Sequence, residues 1–457
     1  MSAHSPSPAL GMHVFHSLRA EDEPWLPKVF VPPIDYSLIS ERASAIVYSD
    51  AGGGRSAVLA MLKHETSGKE DKTGHVHWIA VSWEPDPPEQ WDEHEVQHVW
   101  RKDVLAHCAL GLLEHFSFHP DAWRRMPGWG QSFVLAFILA FPPPMLAYEL
   151  DRLKEDAADA GVVWHSHLQH PPPSVNSLQT TLQRQSIAQI IRRLVSVLNR
   201  AGIQGIWVLM DGFERWEANI DLDRPRVKTS LERFFSTLAF FDYPGFAFKM
   251  AAPQTWRRLL SRTHAVSTRR VQEFELHWSE EALQTITERR LTLASGGKIT
   301  SLTDLCEAPE VSQWLKRYGA DNPRRWLAWT GDLYRAYLEA GGERPLPAEQ
   351  WAKLRSRLVP RLRITPDRRV FVGSMEVTGL SESLYRVLEY LYEHSGEVCS
   401  RQALYQAYRP DEALPHGWEN VMETVVWRLR QAIEPDPKHP MFIITERGRG
   451  IRLLRTR

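Results

Sequence analysis

A glycine-rich turn near the start of the chain has residue types that could hold a phosphate group. Three consecutive glycines form its centre: Gly52, Gly53 and Gly54. The turn lies between an apolar stretch, residues 44–48, and an apolar helix, so backbone N–H groups and a helix N-terminus could converge on phosphate oxygens. Arg55 would then face the phosphates, and the hydroxyl of Ser56 would bind Mg²⁺. A turn of this kind can also be a plain tight connection.

Carboxylates that could share this Mg²⁺ follow a second apolar strand. Asp211 comes directly after the apolar run 205–210, and Glu214 lies three residues further on. Ligands of an open parallel sheet bind where the strands end, which is the position of Asp211. Asp211 is predicted to hold the metal together with Ser56, and Glu214 to act with Asp211 in catalysis. A strand-terminal aspartate is also common as a simple cap.

The order of these elements resembles that of the STAND/AAA-type P-loop ATPases over residues 26–340. The resemblance covers two more basic residues, Lys249 on a predicted strand and Arg324 after Asn322-Pro323 in a helical segment. It implies that Lys249 senses the γ-phosphate and that Arg324 contacts the nucleotide from a lid. It also implies ATP and Mg²⁺ as cofactors.

Two positions depart from the pattern of that family. Arg55 replaces the usual lysine, and Gly212 follows Asp211 where many hydrolysing relatives have a glutamate. Because a guanidinium is a planar fork rather than a compact point charge, the exchange changes a phosphate site. We therefore predict nucleotide binding with at most slow ATP hydrolysis. A domain that binds no nucleotide is the alternative.

A second group of candidate residues lies near the C-terminus. Residues 418–433 form a predicted helix whose apolar residues recur at spacings of four, three and four. Its polar face contains Asn420, Thr424, Trp427, Arg428 and Gln431. A predicted hairpin follows, with Arg447 and Arg449 flanking a glycine at its tip. From Thr424 to the end the charge is 8 − 3 = +5, whereas the whole chain has −1, which is typical of phosphate contacts.

This arrangement resembles the winged-helix DNA-binding domain of OmpR-type response regulators. The matching segments are residues 380–388, 396–404, 427–430 and 445–452. The resemblance implies duplex DNA as the partner. Trp427 and Arg428 would then face base edges, Arg430 the phosphate backbone, and Arg447 and Arg449 the minor groove. Ile451 and Val425 depart from the usual pattern, and a winged helix that binds protein instead is the alternative.

Composition sets the wider frame. The chain has 457 residues, 43% apolar and 24% charged, enough for two to four domains. Its three distant cysteines exclude a disulfide framework and favour a reducing cytoplasm. No apolar run is long enough to span a membrane, and the first residues do not form a signal peptide. The run His165, His167, His170 lacks a nearby cysteine and leads into prolines, so we expect solvated loop histidines and no zinc.

The predicted fold class is α/β: a P-loop NTPase parallel sheet with a helical lid, followed by a C-terminal winged helix-turn-helix domain. The expected segments are a disordered tail (1–25), the α/β domain (26–253, with an insertion at about 117–180), the lid (254–340), a linker (341–360) and the winged helix (361–457).

These features favour a nucleotide-responsive transcriptional regulator in which the ATPase-like module controls DNA binding. Double-stranded DNA is the main expected partner, with a second copy of the chain and an upstream signalling protein as further candidates. We expect no receiver domain and no membrane partner. Two alternatives stay open: an active ATPase that remodels a DNA-bound partner, and a catalytically silent scaffold that uses the winged helix to bind protein.

Overall fold

A parallel sheet forms the centre of the N-terminal half. The computed structural model describes residues 11–16, 19–66, 78–86, 93–213, 225–235, 241, 243–319, 322–351, 361–372, 375–410, 412–434, 437 and 440–454. The sheet strands are β1 (Ser44–Ser49), β2 (Ile79–Trp83), β3 (Ile206–Met210), β4 (Phe246–Pro253) and β5 (Val271–Glu275), in the order β2-β3-β4-β1-β5. Every residue of β1, β3 and β4 is buried, as expected for a parallel sheet that helices cover on both faces. All five strands therefore end at one edge.

Helices surround this sheet, whereas α1 (His13–His16) packs on the lid described below. The helices of the α/β domain are α2 (Leu26–Val29), α3 (Tyr36–Ile39), α4 (Arg55–Thr66), α5 (Glu93–Phe118), α6 (Pro120–Arg125), α7 (Gly128–Ala140), α8 (Leu146–Asp156), α9 (Asp159–Val162), α10 (Ser166–Gln169), α11 (Pro173–Arg184), α12 (Ile187–Arg200), α13 (Pro225–Phe235), α14 (Arg257–Leu260) and α15 (His264–Ser267). The sequence predicts one helix over 178–200, but the chain breaks there because Ser186 and Gln189 form a capping box that starts α12. None of the described helices is long and apolar enough to cross a membrane.

The lid is a second helical unit with its own core. It contains α16 (Glu280–Ala294), α17 (Leu302–Leu305), α18 (Glu310–Gly319) and α19 (Pro323–Glu339). The predicted boundary at residue 254 is wrong, because β5 pairs with β1 and residues 254–275 complete the α/β domain. The predicted linker also begins too early, since Leu346 and Trp351 are buried in the lid core; residues 352–360 lie outside the described part.

The N-terminal segment is folded onto the lid. Val14 and Phe15 are buried in the lid core, so the prediction of a disordered tail is wrong for residues 11–16 and 19–25; residues 1–10 lie outside the described part. Glu23 and Arg290 form a buried ion pair at 2.7 Å between Oε2 and Nη2. Removing one member of such a pair costs about 3–5 kcal/mol, because the other charge is left buried and unpaired. The pair thus holds the start of the chain to α16.

The C-terminal domain has the predicted winged-helix topology. Its elements are β6 (Leu362–Ile364), β7 (Val370–Val372), β8 (Met375–Val377), α20 (Glu382–Glu393), β9 (Val398–Cys399), α21 (Arg401–Tyr408), α22 (Trp418–Ile433), β10 (Ile443–Glu446) and β11 (Gly450–Leu453). The first three strands form an antiparallel sheet, and β10-β11-β9 form a second one. Val425 is buried in the core of this domain, which explains why that position of α22 is apolar.

Candidate nucleotide site and DNA-binding surface

The glycine-rich loop joins β1 to α4 at the edge where the strands end. Gly52 and Gly54 have φ values of 81° and 93°, a left-handed conformation that glycine adopts without strain. A Cβ atom on Gly52 would lie 2.8 Å from Cβ of Arg324, and one on Gly54 would lie 2.9 Å from the ring of Trp278. Both backbone conformation and close packing against the lid therefore require glycine at these two positions.

The lid is hydrogen-bonded to three consecutive carbonyl groups of this loop. Nδ2 of Asn322 donates to the carbonyl oxygen of Ala51 at 2.9 Å, and the backbone N–H of Arg324 donates to that of Gly52 at 3.2 Å. Nε1 of Trp278 donates to the carbonyl oxygen of Gly53 at 2.8 Å. We call these three hydrogen bonds the lid clamp. The clamp brings Arg324 to the loop, whereas no sequence pattern pointed to Trp278.

Arg55 and Ser56 occupy the first turn of α4. The Arg55 side chain is buried, and its Nη1 donates to the carbonyl oxygen of Ser49 at 2.6 Å. Its guanidinium is thus engaged by the end of β1, and contact with a phosphate would require it to turn away. Ser56 is half-buried at the predicted position, on the helix end that follows the loop.

Asp211 directly follows β3, as predicted. Its backbone N–H donates to the carbonyl oxygen of Trp83 at 3.1 Å, and its Oδ1 accepts from the N–H of Gly212 at 2.8 Å. Asp211 and the loop therefore lie at the same edge of the sheet, with β4 between their strands. Glu214, the other predicted catalytic residue, lies outside the described residues.

Lys249 is not brought to the loop. Its register partner on β1 is Ala45, whereas Ser49 pairs with Pro253, so Lys249 lies about 13 Å back along the strand at ~3.3 Å per residue. Its Nζ donates to the carbonyl oxygens of Glu41 and Ala43 at 2.6 Å each, and burial lowers its pKa to about 7. This position does not agree with a γ-phosphate sensor. Gln254 is the polar residue that directly follows β4.

The histidine run is not gathered around a metal site. His165 is buried, and its Nε2 lies 2.8 Å from Oγ of Ser117. Burial lowers its pKa to about 4, so the expectation of a solvated side chain is wrong at this position. Within the described ranges, no three His, Cys, Asp or Glu side chains could share a metal ion.

The exposed face of α22 contains the predicted reading residues. Asn420 and Thr424 are exposed, Arg428 and Gln431 are half-buried, and the Trp427 side chain is 50% exposed. The face can offer amide, hydroxyl, indole and guanidinium groups to the edges of bases.

Arg430 ties α22 to the hairpin instead of facing outward. Its Nε and Nη2 donate to the carbonyl oxygen of Ile443 at 3.1 and 2.8 Å, and Nη2 also donates to Oγ1 of Thr445 at 2.8 Å. Burial lowers the pKa of Arg430, while nearby Glu434 raises it. This arrangement does not agree with the predicted phosphate contact. Arg430 therefore has a structural role: it holds β10 against α22.

Arg447 and Arg449 lie at the tip of the hairpin, and both are exposed. Gly448 between them has φ 71°, and the N–H of Arg449 donates to the carbonyl oxygen of Glu446 at 3.0 Å. A Cβ atom on Gly450 would lie 2.1 Å from the carbonyl oxygen of Cys399. The glycines thus set the turn, and the two arginine side chains project from it as the sequence predicts.

A hydrogen bond from the lid reaches the winged helix. Nη2 of Arg325, in the first turn of α19, donates to the backbone carbonyl oxygen of Gln431 at 3.1 Å. The N–H of Arg325 donates to Oδ1 of Asn322 at 3.2 Å, and Asn322 belongs to the lid clamp. The same helix end thus contacts the glycine-rich loop and the C-terminal turn of α22.

Comparisons with known proteins agree with the C-terminal topology. The family described as "Transcriptional regulatory protein, C terminal" matches residues 376–453. The transcriptional regulatory protein YvrH of Bacillus subtilis (strain 168) is 29% identical over 90 residues, which cover 20% of this chain and 37% of that protein. This chain therefore spans about a third of the length of that curated relative. The C-terminal domain is a winged helix of the transcriptional-regulator type.

Solved structures share a loose likeness with the whole chain. The Aeropyrum pernix ORC2 protein in ADPNP-ADP complexes is 13% identical with a TM-score of 0.41, covering 96% of this chain and 93% of that one. The Aeropyrum pernix ORC1 protein in complex with DNA is 13% identical with a TM-score of 0.40, at the same coverage of 96% and 93%. The strands and helices of the chain itself confirm the predicted fold class: a parallel α/β sheet with a helical lid, then a winged helix.

Two arginines of the winged helix should behave differently on mutation. Arg430→Ala removes charged hydrogen bonds to Ile443 and Thr445 and should lower the free energy of unfolding by about 1.5–3 kcal/mol. Arg447→Ala changes an exposed tip, so it should stay within about 0.5 kcal/mol of wild type and instead weaken binding to A·T-rich duplexes. Urea denaturation and binding isotherms on the full chain measure both effects. Equal destabilisation by the two variants would contradict these roles.

Proposed function

We propose that this protein is a nucleotide-responsive transcriptional regulator, in which the α/β domain and its lid control a winged helix that binds duplex DNA. The observation that carries the proposal is the position of the N-terminal turn of α19. Asn322 and Arg324 bind the glycine-rich loop, and Arg325 binds the C-terminal turn of α22. A change at the loop is therefore passed to α22, the helix proposed to read DNA, through the four consecutive residues 322–325.

DNA binding is supported by the family match and by the chemistry of two exposed elements. Asn420, Thr424 and Arg428 offer hydrogen-bonding groups suited to base edges in a major groove. Arg447 and Arg449 at the hairpin tip suit a narrow minor groove, where the negative potential attracts guanidinium groups. We assign no phosphate contact to Arg430.

Nucleotide binding is supported by the donor set at the edge of the sheet. The glycine-rich loop and the N-terminus of α4 offer N–H groups to phosphates, and Ser56 and Asp211 offer the hard oxygen ligands that Mg²⁺ prefers. When bound, Mg²⁺ would neutralise phosphate charge. Arg324 reaches this loop from the lid, and Arg55 would have to exchange the Ser49 carbonyl for a phosphate oxygen. We propose that the site binds ATP and hydrolyses it slowly at most. A catalytic role for Glu214 remains a prediction.

The coupling follows from two sets of contacts to one loop: the lid donates hydrogen bonds to its carbonyl oxygens, whereas a phosphate would accept from its N–H groups. Phosphate oxygens bound there would draw Arg55 and Arg324 toward them and change the lid clamp. In the conformation described, Arg325 is hydrogen-bonded to the C-terminal turn of α22 at Gln431. Gln431 belongs to the polar face of α22 that is proposed to contact bases. The lid therefore restrains the reading helix, and a nucleotide that binds the released state more tightly shifts the population toward it. We place this regulator in the cytoplasm; self-association and an upstream signalling protein are further parts of the proposal.

Asp211→Ala should weaken ATP binding in the presence of Mg²⁺ much more than in its absence, because it removes a metal ligand. Titration calorimetry on the full chain measures both affinities. Asp121→Ala, which removes an exposed carboxylate paired with Arg124, is the matched control and should bind as wild type does. No heat of binding for the wild-type chain under either condition would contradict the nucleotide site.

Arg325→Ala should raise DNA affinity in the absence of nucleotide and abolish any difference that ATP makes. The reason is that the variant frees the C-terminal turn of α22 while leaving Asn322 and the loop in place. Arg344→Ala, an exposed residue beyond α19, controls for the lost charge. Fluorescence anisotropy with a labelled duplex, with and without ATP and Mg²⁺, gives the affinities. An unchanged ATP response in Arg325→Ala would contradict the proposed route.

A further inference from the structure

A strongly cationic segment lies between β4 and β5, outside both sites described above. Residues 254–270 contain five arginines and no Asp or Glu. We call this set the basic strip, and all of its members are exposed: Arg257, Arg258, Arg262, Arg269 and Arg270. The whole chain has a charge of −1, so the strip is a local feature and not part of a generally basic surface.

Most of this charge is not used within the fold. Arg257 forms an ion pair with Glu275, whereas Arg258, Arg262 and Arg269 form no ion pair with any part of the chain that the structure describes. An unpaired guanidinium presents a planar set of donors that matches the oxygens of a phosphate. The strip is therefore suited to a polyanion with repeated phosphate groups.

The backbone at Arg269 supports a function for its side chain. Arg269 has φ 59°, in the left-handed region where glycine is the usual residue. The backbone N–H of Arg269 donates to the carbonyl oxygen of Val266 at 2.8 Å. The backbone N–H of Arg270 donates to the carbonyl oxygen of Ala265 at 2.9 Å. The turn that ends α15 thus holds an arginine where a glycine would fit without strain, and that arginine points charge into solvent.

The strip is unlike an interface between protein subunits. Its large apolar side chains are covered: Leu260 and Val266 are buried and Leu259 is half-buried. The exposed residues between the arginines are small and polar, namely Thr255, Ser267 and Thr268. Stable protein interfaces usually have an apolar core, whereas DNA interfaces are polar and positively charged. These features favour a nucleic-acid backbone over a second copy of the chain.

The strip begins at the same edge of the sheet as the contact with the winged helix. The guanidinium of Arg257 lies 5.8 Å from the ring centre of Tyr48, which immediately precedes Ser49 and the glycine-rich loop. The loop is bound by the N-terminal turn of α19, and that turn contacts Gln431 of α22. Arg257 therefore lies at this edge, whereas Arg269 and Arg270 directly precede β5, whose first residue pairs with Ser44 at the start of β1. The strip thus extends from the edge where the lid contacts the winged helix to the opposite edge of the sheet.

We propose that the basic strip binds the phosphate backbone of the duplex that the winged helix reads, adjacent to the sequence read. This inference rests on the proposed DNA binding. It assigns the α/β domain a second, sequence-independent DNA contact made by Arg258, Arg262 and Arg269. Contacts of this kind add affinity and salt dependence without adding base discrimination.

The test is the salt dependence of DNA binding by the full-length chain. The triple variant Arg258→Gln, Arg262→Gln, Arg269→Gln loses three phosphate contacts, so the slope of log K against log salt should fall in magnitude by about 2.7. Affinity should fall by the same factor on matched and mismatched duplexes. The matched control replaces three exposed arginines of α11 and α12 (Arg184→Gln, Arg192→Gln, Arg200→Gln) and should keep the wild-type slope.

Each other outcome overturns the inference in a recognisable way. An unchanged slope in the triple variant, with wild-type and control chains binding DNA normally, means that the strip does not touch DNA. An equal loss of slope in the control means that general charge, not the strip, is responsible. If sedimentation velocity shows that the wild-type chain is an oligomer and that the triple variant is a monomer, the strip joins copies of the chain instead of binding DNA. Failure of the wild-type chain to bind any duplex would instead defeat the proposed function itself.

Discussion

The hydrogen bonds from the lid to the carbonyl oxygens of Ala51, Gly52 and Gly53 are the interaction on which the rest of the arrangement depends. They require glycine at two loop positions, fix the N-terminal turn of α19, and so determine where Arg325 meets α22. Each hydrogen bond contributes about 0.5–1.5 kcal/mol net. Three of them together contribute about 1.5–4.5 kcal/mol, which is less than the ~5.5 kcal/mol that moves a two-state equilibrium from 1:99 to 99:1. A ligand that binds the released lid more tightly by a few kcal/mol can therefore open the clamp.

The start of the chain adds to the lid's core and anchors it. Val14 and Phe15 pack into its core. The buried ion pair of Glu23 with Arg290 fixes the chain segment before α2 to α16. The lid thus has its own core and its own anchor, and it joins the loop mainly through polar contacts. This is the distribution of contacts expected of an element that moves as a unit, because polar contacts can be exchanged for others at low net cost.

The sequence was sufficient to predict the fold class, the loop, Asp211 and the exposed face of α22. These predictions rest on local patterns: a glycine run between a strand and a helix, an acid after an apolar strand, and a 3.6-residue period. Lys249 and Arg430 were misjudged for a shared reason. The position of Lys249 relative to the loop depends on the register of β4 against β1, and the direction of the Arg430 side chain depends on the distant Ile443 carbonyl. Neither contact can be predicted from the residues that are adjacent in sequence.

The same limit applies to the domain boundaries. Residues 11–25 have the composition of a disordered tail, and only the lid core explains why Val14 and Phe15 are buried. Residues 254–275 fall within the predicted lid, but the pairing of β5 with β1, which is distant in sequence, places them in the α/β domain. Trp278, which contacts the loop, stands in no recognisable motif, because its importance comes from a carbonyl group that is distant in sequence.

Hydrogen–deuterium exchange of the full-length chain, with and without ATP and Mg²⁺, tests the central claim most directly. The account predicts that nucleotide changes amide exchange in three regions together: the loop around residues 50–56, the start of α19, and the C-terminal turns of α22 near Gln431. The last region should exchange faster when nucleotide is bound, because the contact from Arg325 is released. A change confined to the loop and α19, with α22 unaffected, would contradict the account.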